Sequence, residues 1–168
     1  MTYRTRRRWT GLLLLSLVSS CAYPAQPATG SLCERSQTTY FSCQTARHRT
    51  ISLCGALPSA LQYRYGRPGQ VELKFPDDAA QGARLFAFAH YSRYQAERTE
   101  IGFSHGDADY TLFDYTEQGH RTAGVQVTTT DGKAAEIRCA GTVQGAMAPL
   151  GKSLRCDPDS ALNGGHCP

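Results

Sequence analysis

Val71, Leu73 and Phe75 alternate with Glu72 and Lys74, and the run stops at Pro76, which cannot donate to a sheet ladder. This period of two recurs along the chain, and no segment offers a long i, i+3, i+4, i+7 apolar stripe. Thr39 to Thr45 and Arg49 to Cys54 flank Ala46-Arg47-His48, a loop length that suits a tight hairpin. Leu61, Tyr63 and Tyr65 share one face of a third run, with Gln62 and Arg64 on the other. Leu85 to Tyr91 places Phe86, Phe88 and His90 together; Thr99 to Ser104 and Tyr110 to Tyr115 follow, joined by residues 105 to 109. Thr122 to Thr130 and Lys133 to Cys139 meet across Asp131-Gly132, a two-residue turn signal. Residues 77 to 84 allow one helical turn. The pattern predicts an all-β fold: an antiparallel sandwich or barrel of about nine strands, built mainly as a meander.

The chain has seven cysteines, of which Cys21 stands apart and Cys33, Cys43, Cys54, Cys139, Cys156 and Cys167 make an even set. Six thiols in a chain of this kind imply an oxidising compartment and three disulfides, whose connectivity the sequence leaves open. Hairpin geometry narrows it. If Thr45 faces Arg49, then Cys43 faces Ile51 and Cys54 faces Tyr40, so the two cysteines point to opposite faces and each bonds elsewhere, for instance one to Cys33 and the other to Cys139. Cys156 and Cys167 suit a short terminal loop. No C-x-x-C pair is present, and neither a metal site nor a cofactor is expected.

Arg4, Arg6, Arg7 and Arg8 precede the apolar run Leu12-Leu13-Leu14-Leu15-Ser16-Leu17, in the order of a secretory signal and too short to span a bilayer. Val18-Ser19-Ser20-Cys21 then resembles a bacterial lipobox, which implies that Cys21 is lipidated and becomes the mature N-terminus. The other reading is an ordinary signal cut after Ala22 or Ala25. The expected organisation is a signal over residues 1–20, a tether over 21–32, a β domain over 33–139 and a Cys-pinned tail over 140–168. The whole chain carries 18 Lys plus Arg and 14 Asp plus Glu. Taking away the four leader arginines leaves 14 bases against 14 acids, and the basic balance that would point to nucleic acid vanishes.

Tyr40-Phe41-Ser42-Cys43-Gln44-Thr45, Arg49-Thr50-Ile51-Ser52-Leu53-Cys54-Gly55 and Leu61-Gln62-Tyr63-Arg64-Tyr65-Gly66 resemble a pattern in uncharacterised secreted bacterial proteins. In those, C-x-T is followed by a [KR]-x-I-x-L-C-G strand and an L-x-Y-R-[FY]-G strand; here Arg49 stands where lysine is commoner. The resemblance extends loosely through Phe103, Gly106 and Tyr110 to Cys139. It implies family membership and no catalytic residue.

Arg47, Arg49, Arg64 and Arg67, with His48 beside them and Tyr63 and Tyr65 interleaved, make the densest basic grouping and the candidate binding surface for an acidic partner. The remaining aromatics, Tyr91, Tyr94 and Tyr115 among them, are expected first as core and cross-strand pairs. His90 shares a face with two phenylalanines. His105, Asp107 and Asp109 cluster at a turn whose chemistry alone accounts for Gly and Asp. No G-x-S-x-G elbow or H-E-x-x-H occurs, and Gly151-Lys152-Ser153 lacks the phosphate-loop spacing. The leading expectation is a lipid-anchored, non-catalytic binding protein on the periplasmic side of the bacterial outer membrane, with a protein partner and no nucleic acid, of the inhibitor or immunity type. The alternatives are a soluble periplasmic or secreted form, a hydrolase built on His90 or His105 with Asp107, Asp109 or Asp114, and a structural envelope lipoprotein.

Overall fold

The computed structural model describes residues 1–2 and 30–167. Residues 3–29, which carry the apolar run, Cys21 and most of the tether, lie outside the described residues. Nine strands follow the predicted alternation in two meanders. The first is β1 (Thr38–Gln44), β2 (Thr50–Ala56), β3 (Ala60–Arg67) and β4 (Gln70–Phe75). A 3₁₀ turn at Ala79–Gln81, capped by the Asp78 carboxylate on the Ala80 N–H, and the single helical turn α1 (Gly82–Leu85) carry the chain to the second layer. There β5 (Ala87–Arg93), β6 (Ala96–His105), β7 (Ala108–Glu117), β8 (His120–Thr129) and β9 (Ala134–Arg138) pair in order. Two short strands complete the sheets: β10 (Gln144–Gly145) beside β1, and β11 (Arg155–Cys156) parallel to β5. The result is a β-sandwich, β10-β1-β2-β3-β4 packed on β11-β5-β6-β7-β8-β9, with one parallel pairing in an otherwise antiparallel frame.

Alternation decides what fills the middle. Phe41, Ile51, Leu53, Leu61 and Tyr63 project from the first sheet, and Ile101, Phe103, Leu112 and Val125 from the second; all are buried. Phe75 stacks on Phe103 at 4.6 Å, and Tyr63 meets the same ring at 5.1 Å, so β3 and β4 are seated over β6 by aromatic contacts.

The disulfides are Cys33–Cys54, Cys43–Cys139 and Cys156–Cys167. Cys43 faces Ile51 as the hairpin argument requires, but Cys54 faces Thr39 and not Tyr40. The cause is a bulge between Thr39 and Phe41 that sets Tyr40 out of register, where its hydroxyl accepts the Leu57 N–H at 3.0 Å. The opposite-face argument survives, because Cys43 joins the core while Cys54 turns outward to Cys33.

Four other expectations are corrected. The Asp131-Gly132 turn is a three-residue loop closed by Thr129 N–H to Lys133 C=O, with Gly132 at φ 80°, the left-handed position of a bulged hairpin. The 105–109 connection is shorter than expected, since His105 pairs with Ala108 and only two residues turn. Residues 30–32 are not tether: Leu32 N–H donates to Ser52 Oγ, and the Ser42 hydroxyl donates to the Gly30 carbonyl at 2.6 Å. The segment after Cys139 is not a tail held by a disulfide alone, because Met147, Leu150 and Leu154 are buried in the core. Gly145 permits this return. At φ 77°, its backbone lies against Tyr40, where a Cβ would sit 2.4 Å from the carbonyl oxygen.

Candidate binding surface

The six residues read as one basic, tyrosine-bordered patch are dispersed by the fold. Strand alternation turns Gln62 and Arg64 away from the core, as expected, but residues 30–34 fold back across that face. Arg64 is therefore buried: Nε donates to Gln62 Oε1 at 2.8 Å, Nη1 to the Leu32 carbonyl at 2.8 Å, and Nη2 to Glu34 at 3.1 Å. Arg49 is half-buried and reaches past β3 to pair with Glu72 on β4 at 2.6 Å. Tyr63 is core. Burial, with Tyr65 and Tyr110 nearby, holds its hydroxyl far above the usual tyrosine range. Arg67 is exposed at the end of β3. Arg49 also donates to the Arg47 carbonyl at 3.4 Å, and Arg47 and Tyr65 share a depression between the β1–β2 turn and β9.

The histidines are likewise separated. His105 packs edgewise on Phe75 at 5.5 Å from the inner face, whereas Asp109, paired with Ser104 on the opposite face, accepts the Ser104 hydroxyl at 2.6 Å. Asp107 sits in the turn, its carbonyl accepting the Thr130 N–H. His90, Thr99 and Asp114 do fall in one row, because β5, β6 and β7 pair them directly. Nδ1 of His90 lies 3.1 Å from the Thr99 hydroxyl. Asp114, however, is clamped by both oxygens to Arg121, at 2.8 and 2.7 Å, and Arg121 also donates to the Gly145 carbonyl at 2.9 Å. This row is a bracket between β7–β8 and the returning segment, and among the described residues it leaves His90 without a carboxylate inside normal hydrogen-bond range, Glu97 being 4.0 Å away.

The aromatic and basic surface lies instead on the outer face of the second sheet. Direct pairing across β5, β6, β7 and β8 aligns Tyr91, Arg98, Tyr115 and Thr122 in one row. The Arg98 guanidinium lies over the Tyr115 ring at 5.3 Å and pairs with Glu117, which raises its already high pKa through that hydrogen bond. Tyr91 and Tyr94 are exposed, Tyr94 at 87 %. Arg93, Tyr94, Arg98, Tyr115, Glu117 and Arg138 are among the residues that line a depression of about 630 Å³ there.

One carboxylate ties this face to the C-terminal segment. Glu100 accepts the Tyr115 hydroxyl on one oxygen and the Ser160 hydroxyl, at 3.0 Å, on the other. Burial first, and this bond second, push the Tyr115 hydroxyl well above the usual tyrosine range; Arg98 acts in the opposite sense. Asn163 locks the same segment down, donating to the Asp157 carbonyl at 2.7 Å while its side-chain oxygen accepts the His90 N–H.

Tyr91, Tyr94 and Tyr115 are expected first as core and cross-strand pairs because an aromatic in a strand is first a packing residue. The signal that places Tyr91 and Tyr115 outside is parity: Tyr91 and Arg93 are out of phase with Phe86 and Phe88, Arg98 with Ile101 and Phe103, and Tyr115 with Leu112, whereas Tyr94 stands in the β5–β6 turn. No protein-family profile, curated protein or solved structure matches the chain.

Proposed function

We propose that the chain is an exported, lipid-anchored, non-catalytic binding protein of the bacterial envelope that takes an acidic protein partner on the outer face of its second sheet. The observation that carries this reading is the row of exposed Tyr91 and half-buried Arg98 and Tyr115, with exposed Arg93 and Tyr94 at its end. Tyrosine and arginine are the residues that most often anchor interfaces, since each covers a large apolar area and keeps a polar end for the partner. A paired sheet holds them at fixed spacing, so little ordering cost falls on binding. Of the three arginines around this depression, Arg98 is paired with Glu117 and Arg138 with Glu136, which leaves Arg93 as the cation with no ion pair among the described residues, on a mature chain whose formal charges balance. That charge steers an acidic surface, an effect that weakens as salt screens it. An inhibitor or an immunity-type protein against an envelope-acting enzyme is the role such a rigid, disulfide-bonded platform suits. Three disulfides and the Val18-Ser19-Ser20-Cys21 run support export and anchoring.

The test is site-specific photo-crosslinking in cells that make the full chain. A crosslinker at Tyr94 should trap a discrete partner that one at Lys74, on the edge strand of the other sheet, does not. Arg93→Glu should abolish the adduct while thermal stability moves by no more than about 0.5 kcal/mol. An adduct at Tyr94 that ignores Arg93→Glu and salt would overturn the reading. The anchor has its own readout: a fatty-acid analogue should label the wild type and leave Cys21→Ser unlabelled.

A further inference from the structure

The depression between the β1–β2 turn and β9 differs in kind from the one on the sheet face. It has a volume of about 700 Å³, within the range of small-molecule sites, and its lining is predominantly apolar. Ala46, Tyr65, Ala135 and Ile137 supply that lining, and Tyr65 and Ile137 pack directly against the core, so the depression is an opening in the interior of the sandwich. Its polar groups stand at the rim. Arg47 is exposed, and neither its guanidinium nor the Tyr65 hydroxyl has a hydrogen-bond or ion-pair partner among the described residues. Arg138 stands on the same rim and is joined to Glu136.

An apolar floor with an uncommitted cation and a free hydroxyl at its edge fits an amphipathic anion. The alkyl chain gains by leaving water, at roughly 0.8 kcal/mol per buried methylene, and a carboxylate head can take charge-assisted hydrogen bonds from Arg47 and Tyr65. A cationic amphiphile would meet two arginines and one glutamate at the rim. A neutral one would leave Arg47 as it is.

We infer that this opening is a binding site for a medium-chain alkyl carboxylate, with its chain against Tyr65, Ala135 and Ile137 and its head at Arg47. Arg138 stands on the rim of both this opening and the depression on the outer sheet face, whereas Arg47, Tyr65, Ala135 and Ile137 line this opening and not the other.

The experiment is a titration of the mature protein with dodecanoate below its micelle concentration, followed by amide NMR shifts. Saturable shifts should centre on Ala46, Tyr65 and Ile137. Arg47→Gln should weaken binding roughly tenfold, the worth of a charge-assisted hydrogen bond. Ala135→Glu, a change at an exposed position that leaves the core intact, should abolish it, and Arg93→Gln on the other face should change nothing. Dodecanol or dodecyltrimethylammonium binding as tightly as dodecanoate overturns the inference, as does dodecanoate binding that survives Ala135→Glu. Tighter binding of dodecyl phosphate overturns the carboxylate assignment. Shielding of the same residues that grows with protein concentration, without ligand, overturns it in favour of a second copy of the chain.

Discussion

Arg64 and Glu34, thirty positions apart, are joined at 3.1 Å across a face that strand alternation alone would leave in water. The Arg64 side chain is 9 % exposed and the Glu34 side chain 67 %, so the pair is lopsided. Its stabilising effect lies less in the ion pair than in the Leu32 carbonyl and Gln62 amide oxygen that the guanidinium satisfies.

Arg64→Ala should therefore destabilise the domain by about 2 kcal/mol, because it strands buried acceptors, whereas Arg47→Ala should cost within about 0.5 kcal/mol. Chemical denaturation of the two variants checks this. Equal, small losses would show that residues 30–34 do not cover β3.

Met147→Ala should cost about 2 to 5 kcal/mol, as for any fully buried methionine truncated in a close-packed core. Removing residues 140–168 should prevent folding altogether. A folded 30–139 fragment, by its NMR dispersion, would refute the placement of Met147, Leu150 and Leu154 in the core.

The disulfides should rank by the chain they close. Cys43–Cys139 spans 96 positions and Cys156–Cys167 spans 11. On loop entropy alone their removal as double alanine variants should cost about 4.7 and about 2.8 kcal/mol respectively. Melting of both variants gives the order, and the reverse order would contradict it.

Tyr63 and Tyr115 should be the last tyrosines to ionise. Burial raises both, so the folded state favours the protonated hydroxyl more than the unfolded chain does. That contribution is fully present below the ordinary tyrosine value of about 10 and is lost as pH rises beyond it towards the folded values. In an alkaline titration followed by phenolate absorbance and circular dichroism, Tyr63 and Tyr115 should ionise only as the protein unfolds. Tyr115→Phe should make stability fall less steeply above pH ~10. Native-state ionisation of Tyr115 would show that its burial and its bond to Glu100 do not hold.

The sequence by itself determined the strands, their order and most of their facing. Period two is a local property: Phe41, Ile51 and Tyr63 alternate with residues on the other face, and Gly, Pro or Asp marks the turns after β2, β3, β4, β6, β7 and β8, though not those after β1 and β5. It also determined, by parity, that Cys43 and Cys54 could not bond to each other. Only the tertiary structure decided what each outward face meets. Arg64 and Arg98 have the same pattern in sequence, each a cation on the non-core side of a strand; one lies under residues 30–34 and the other is open. Nothing in the local pattern of β3 or β6 reports a segment thirty residues away, and nothing in 140–168 advertises Met147, Leu150 and Leu154 as core, because a short 3₁₀ turn has too few apolar positions to show a period. Burial by distant chain is a property of the folded whole, and it separated the surface that sequence predicted from the one the molecule presents.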